Sequence, residues 1–84
     1  MVKLLYFAWL KDRTGVAEEE VSLPDEVGTV DALLAWLPTR SPAFAAALED
    51  PKAIRVAVNQ EYARPGDPIA DGDEVALFPP VTGG

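Results

Sequence analysis

Apolar side chains recur along this chain with two different periods, and the changes of period divide it into elements. Residues 2–9 are apolar at nearly every even and odd position, the pattern of a strand near the middle of a sheet. The run lacks the basic start and small-residue cleavage site of a secretory signal, and it is too short to span a bilayer. A polar break follows over Lys11, Asp12, Arg13, Thr14 and Gly15. Over residues 18–23, Glu18, Glu20 and Ser22 alternate with Val21 and Leu23, the period of a half-solvated antiparallel strand, and Pro24 ends it.

The period then changes. Val30, Leu33, Leu34 and Leu37 fall at i, i+3, i+4 and i+7 behind Thr29, an N-cap residue, with Asp31 in the first turn. This predicts one amphipathic main helix closed by Pro38. Ser41 and Pro42 repeat the start signal and open a short second helix over residues 43–48. Ile54, Val56 and Val58 alternate into a third strand that breaks at Asn59, Gln60 and Glu61. Turn residues at 65–68 and 70–73 surround a short extended piece at Ile69. Residues 75–78 form the last strand, apolar on both faces, and two prolines stop it.

The first and last strands are the most apolar, so they are expected to pair at the centre of a mixed sheet of four to five strands with the helix across one face, an α+β architecture. If they run parallel, the crossover between them is right-handed, and the chain leaves the last strand at the same end of the sheet as the loop after Trp9. One domain over residues 1–84 follows, with a globular part, 1–78, and an extended C-terminal tail, 79–84.

Composition then removes whole classes of chemistry. The 84 residues contain no cysteine and no histidine, so thiol nucleophiles, disulfides, imidazole bases and the commonest zinc ligands are all absent. No metal site and no permanently bound cofactor are expected, and any catalyst has to come from a partner. A small cysteine-free domain fits a reducing cytoplasm. The net charge of −7 argues against nucleic acid as a ligand and for a basic protein surface as a partner. The acidic turn Asp71-Gly72-Asp73-Glu74 lacks the remaining oxygen ligands of a calcium loop and reads as a turn.

The most specific feature is the end of the sequence, Phe78-Pro79-Pro80-Val81-Thr82-Gly83-Gly84. Pro79 and Pro80 hold the backbone extended, while Gly83 and Gly84 leave the last carboxylate without flanking side chains, free to thread a narrow slot. At about 3.3–3.6 Å per extended residue, residues 79–84 reach roughly 20 Å. Phe7, Tyr62 and Phe78 are candidates for an apolar patch beside this tail; ordinary core packing is the competing reading.

The segments at 2–8, 58–62 and 71–84 together resemble the small-subunit family of molybdopterin synthase, which has the ubiquitin-like β-grasp fold, and the resemblance covers essentially the whole chain. It implies a sulfur carrier for molybdenum cofactor biosynthesis. An E1-like activating enzyme would use ATP to adenylate the Gly84 carboxylate, and a persulfide donor would convert it to a thiocarboxylate. Gly83 keeps the carbonyl unhindered, and Pro79, Pro80, Val81 and Thr82 insert the tail into the large synthase subunit. There the sulfur passes to cyclic pyranopterin monophosphate, building the dithiolene within a heterotetramer. Phe7, Tyr62 and Phe78 would dock on that large subunit. Two other readings stay open: a carrier for thiazole synthesis or another thiolation pathway, and a β-grasp interaction module or protein modifier.

Overall fold

The computed structural model, which describes residues 1–40, 42–49 and 54–79, contains a five-stranded mixed sheet. Its strands are β1 (Val2–Tyr6), β2 (Glu18–Val21), β3 (Arg55–Val58), β4 (Glu61–Tyr62) and β5 (Glu74–Phe78), in the order β2-β1-β5-β3-β4. The two most apolar strands are indeed central and parallel, with Lys3 opposite Glu74 and Tyr6 opposite Leu77. Each of the remaining neighbours is antiparallel.

Three short helices, α1 (Trp9–Thr14), α2 (Val30–Trp36) and α3 (Pro42–Ala47), contribute to the core. Val2, Leu4 and Tyr6 of β1, Val56 of β3, and Val75 and Leu77 of β5 join Leu10, Val30, Leu33, Leu37, Phe44 and Leu48 in one buried cluster. α2 begins where its cap predicts: the Thr29 Oγ1 accepts the Ala32 N–H at 3.2 Å. The α-helix ends at Trp36, with Leu37 as its C-cap, just before Pro38 as expected, and the winding goes on only as a 3₁₀ turn over Leu37–Thr39, where a missing backbone donor costs little. The cap expected at Ser41 and the tail residues Pro80, Val81, Thr82, Gly83 and Gly84 lie outside the described residues.

Two elements depart from the sequence expectation. Trp9 does not end a strand; it begins α1, because Ala8, at φ 54° and ψ −134°, turns the chain out of the sheet. Leu10, fully buried, anchors the helix, and Gly15 closes it at φ 81° with its N–H on the Lys11 carbonyl at 2.9 Å. The second departure is a hairpin in place of the simple break at residues 59–61. Asn59 (φ 52°) and Gln60 (φ 70°) form a two-residue loop with both central residues at positive φ, the turn whose twist matches that of paired strands. The Asn59 side chain ties this loop to β5, donating to the Asp73 carboxylate and accepting the Glu74 N–H, both at 3.0 Å. The Ala70 N–H and the Asn59 amide, both donating to Asp73, hold its carboxyl below the usual range.

Among the described residues the helices lie over one face of the sheet. Alternation along β1 sends Val2, Leu4 and Tyr6 into the core and leaves Lys3 and Leu5 on the opposite face. The same holds for β5, where Val75 and Leu77 are buried while Glu74, Ala76 and Phe78 face away. Among the described residues no helix covers the apolar residues of that second face, Leu5, Ala76 and Phe78, which are half-buried.

Candidate functional site: one end of the open sheet face

The parallel pairing of β1 and β5 brings their C-terminal ends to the same edge of the molecule. Phe7, just past β1, donates its N–H to the Leu77 carbonyl at 3.1 Å, so it lies beside Phe78 and the root of the tail at Pro79. The antiparallel strand β3 places Arg55 opposite Phe78 and Ala57 opposite both Ala76 and Tyr62. Ala57, lying between β5 and β4, presents only a methyl group, and across it the rings of Tyr62 and Phe78 meet with centroids 5.8 Å apart at 58°.

All three aromatic candidates therefore collect at one place, two of them in ring contact. Phe7 is 48% exposed and Tyr62 74% exposed, which rules out core packing for this pair; Phe78 is half-buried. Among the described residues Phe7 has no ring partner; backbone pairing alone fixes it next to the others. Leu5, Ala57 and Ala76 extend the apolar surface along the same face, each half-buried. Sequence reasoning passed over these three, although the period-2 alternation of β1, β3 and β5 carried the signal. Charged side chains border the patch: Lys3 pairs with Glu18 at 3.3 Å, and Glu20 and Glu74 lie opposite Lys3 on the neighbouring strands.

A second cluster fixes the covered side of this same end. Glu19 sits opposite Leu4 and so points to the helix side of the sheet. Its Oε2 accepts from the Tyr6 hydroxyl at 2.7 Å and from Arg40 Nη1 at 2.8 Å. Arg40 also lies over the rings of Trp36 and Phe44, 5.4 and 5.2 Å from their centroids, and Phe44 stacks at a tilt on Tyr6 at 5.6 Å. Burial, together with the Glu19 carboxylate, pushes the Tyr6 phenol far above its ordinary range. Burial alone would raise the Glu19 carboxyl as well, but the two donors outweigh it and hold it low. This cluster links β1, β2 and the segment leading into α3. Its members are spread from residue 6 to residue 44, with no spacing that a sequence reading detects.

Chemically, the described residues at this end offer an apolar surface with Phe7 and Tyr62 exposed. No group of three or more metal-ligating side chains occurs among them, and none of their helices is long and apolar enough to cross a membrane. The patch ends where the tail begins, at Pro79.

Against known proteins, residues 4–84 match the ThiS family. The chain is 44% identical to the molybdopterin synthase sulfur carrier subunit of Escherichia coli (strain K12) over 84 residues, covering 100% of both sequences. In three dimensions it is similar to SAMP1 from Haloferax volcanii, with a TM-score of 0.77 and 34% identity over 99% of this chain and 98% of that one. It shares its fold with a chain of the protein–protein complex of subunits 1 and 2 of the molybdopterin-converting factor from Helicobacter pylori 26695. That superposition has a TM-score of 0.65 at 23% identity, covering 99% of this chain and 97% of the other. These neighbours identify the five-stranded mixed sheet with its main helix as a ubiquitin-like β-grasp.

Proposed function

This chain belongs to the ThiS family, and we propose that it works as the sulfur carrier subunit of a molybdopterin synthase. The observation that carries the reading is the coincidence of the uncovered aromatic patch with the root of the tail. Phe7, Tyr62 and Phe78 gather at the strand end from which Pro79 departs, so a partner seated on the patch lies within the tail's reach. The 44% identity to a sulfur carrier subunit over the full length of both chains supports the same conclusion.

In this reading the Gly84 carboxylate attacks the α-phosphate of ATP in an E1-like enzyme, releasing pyrophosphate and forming an acyl-adenylate. A persulfide sulfur displaces AMP from the carbonyl, and a second thiol cleaves the resulting acyl disulfide to leave the thiocarboxylate. Gly83 and Gly84 serve the displacement by leaving the carbonyl carbon open to attack. Acid, base and charge stabilisation come from the partner proteins, as a chain without cysteine or histidine requires. The large synthase subunit then takes the tail along Pro79, Pro80, Val81 and Thr82, and the thiocarboxylate gives its sulfur to cyclic pyranopterin monophosphate.

Intact-mass measurement after incubation with the activating enzyme, ATP and a sulfur donor tests this. The expected result is a gain corresponding to one oxygen replaced by sulfur, lost on addition of the large subunit and the pterin. No gain with an activator that loads another carrier contradicts it. The likeness to SAMP1, the small archaeal modifier protein 1 of Haloferax volcanii, favours a second reading, a protein modifier, and in that case the same incubation in an extract joins Gly84 to lysine side chains.

A further inference from the structure

The strand registers set the side chains of the open face in rows, and the rows differ in character. Farthest from the tail, Lys3 stands opposite Glu74. The next row runs through Leu5, Ala76, Ala57 and Tyr62 and is apolar. The row at the root of the tail holds Phe7, Phe78 and Arg55. Arg64 continues it, because the Ala63 N–H on the Val56 carbonyl, at 2.9 Å, carries the β3–β4 pairing one step past Tyr62.

Both arginines point away from the helices. Val56, between Arg55 and Ala57, is buried, and Ala63, before Arg64, packs against the core. Alternation then turns Arg55 and Arg64 outward, and both are exposed. Lys3 and Arg40 each pair with a glutamate, whereas Arg64 has no carboxylate partner among the described residues. Asp67 is engaged with the Arg64 backbone instead, accepting its N–H at 2.8 Å and donating to its carbonyl at 3.0 Å. Asp31, at the start of α2, ties to the same turn through its N–H on the Pro65 carbonyl at 2.8 Å.

We infer that Arg55 and Arg64 form a basic corner of the docking face, which selects a partner carrying acidic side chains beside the slot that takes the tail. This inference rests on the docking role given to the patch above. The net charge of −7 favours a basic surface for the molecule as a whole, and a positive corner within it fixes which way round the partner sits. Like charges opposite each other on neighbouring strands repel, and an acidic surface laid across both turns that repulsion into attraction. Guanidinium groups suit the task because their planar fork engages a carboxylate through two hydrogen bonds.

The test is calorimetric titration of the large synthase subunit with charge variants at low and high salt. At low salt Arg55→Gln/Arg64→Gln should bind about tenfold more weakly than wild type and Arg55→Glu/Arg64→Glu about a hundredfold, since charges at an interface rim act on encounter and reject like-charged partners. At about 0.5 M salt both gaps should shrink severalfold, because screening shortens the reach of exposed charges. Lys11→Gln/Arg13→Gln, the same change of charge placed on α1, should stay within about twofold of wild type. Where the Glu variant fails to fold, the Gln variant carries the test. An equal loss in both Gln variants reduces the effect to net charge and overturns the inference, as does tighter binding by the Glu variant. Unchanged binding by Arg55→Gln/Arg64→Gln, with Phe78→Ala weakened, overturns this inference alone; failure of the wild-type chain to bind the large subunit overturns the docking reading as well.

Discussion

The two faces of the sheet are made from the same strands, in alternate residues, and they meet different fates. On one face Val2, Leu4, Val56, Val75 and Leu77 are all nearly or fully buried beneath the helices. On the other, Leu5, Ala57, Ala76 and Phe78 remain half-buried, with Phe7 and Tyr62 exposed at their border. Apolar content alone does not separate them. What separates them is whether the described residues of this chain supply the cover, and under the proposed function folding belongs to the first face and association to the second.

Leu77 and Phe78 put that contrast to its sharpest test, because they are consecutive in the chain and point to opposite faces. Leu77→Ala removes a fully buried side chain between Tyr6 and Val56 and should cost about 2–5 kcal/mol in chemical denaturation. Phe78→Ala should lower stability by under about 1 kcal/mol while weakening binding of the large subunit about thirtyfold, or ~2 kcal/mol, in titration calorimetry. If Phe78→Ala proved as destabilising as Leu77→Ala, the division of labour between the faces would fail.

The covered face also carries a pH-dependent component. Burial would raise the Glu19 carboxyl above its ordinary 4.5, but hydrogen bonds from Arg40 and Tyr6 prevail and lower it. A carboxyl lowered in the folded state adds stability that is complete above its unfolded value and fades as pH falls through the folded one, where the unfolded chain binds more protons. Glu19→Gln should therefore cost about 1–2 kcal/mol near neutral pH, with the gap to wild type closing progressively below about pH 4.5. Urea melts across pH 3–7 give the comparison, and a gap independent of pH would contradict it. The smallest effect belongs to the hairpin beside Tyr62. Gln60 holds φ 70°, and Gln60→Gly should raise stability by about 0.5 kcal/mol without changing partner affinity.

Much of this arrangement was legible in the sequence because it rests on long-lived periodicities. The doubly apolar runs at residues 2–9 and 75–78 pointed to a central pair, and the spacing of Val30, Leu33 and Leu37 behind Thr29 pointed to α2. Those runs did not show what covers the second face, because a sequence records a residue's affinity for burial but not who provides it. α1 escaped detection because six residues with one buried side chain, Leu10, show no period, and the turn that starts it depends on an alanine in a conformation that alanine seldom takes. β4 escaped because two residues make no alternation, although an asparagine at position 59 is the residue type that tolerates the left-handed turn. Of the candidate site, Phe7, Tyr62 and Phe78 were readable as exposed or strand-end aromatics. Their convergence was not, since it depends on the β1–β5 and β3–β4 registers.

The claim at the centre of this account is that the uncovered face docks while the helical face does not. Side-chain NMR of the isotope-labelled chain, recorded with and without the large synthase subunit, tests it most directly. The account predicts large shifts for the Leu5 and Ala76 methyl groups and for the Phe7, Tyr62 and Phe78 rings, with Val30, Leu33 and Phe44 nearly unchanged. Shifts concentrated on α2 and α3, with the open-face methyls and rings unmoved, would contradict it.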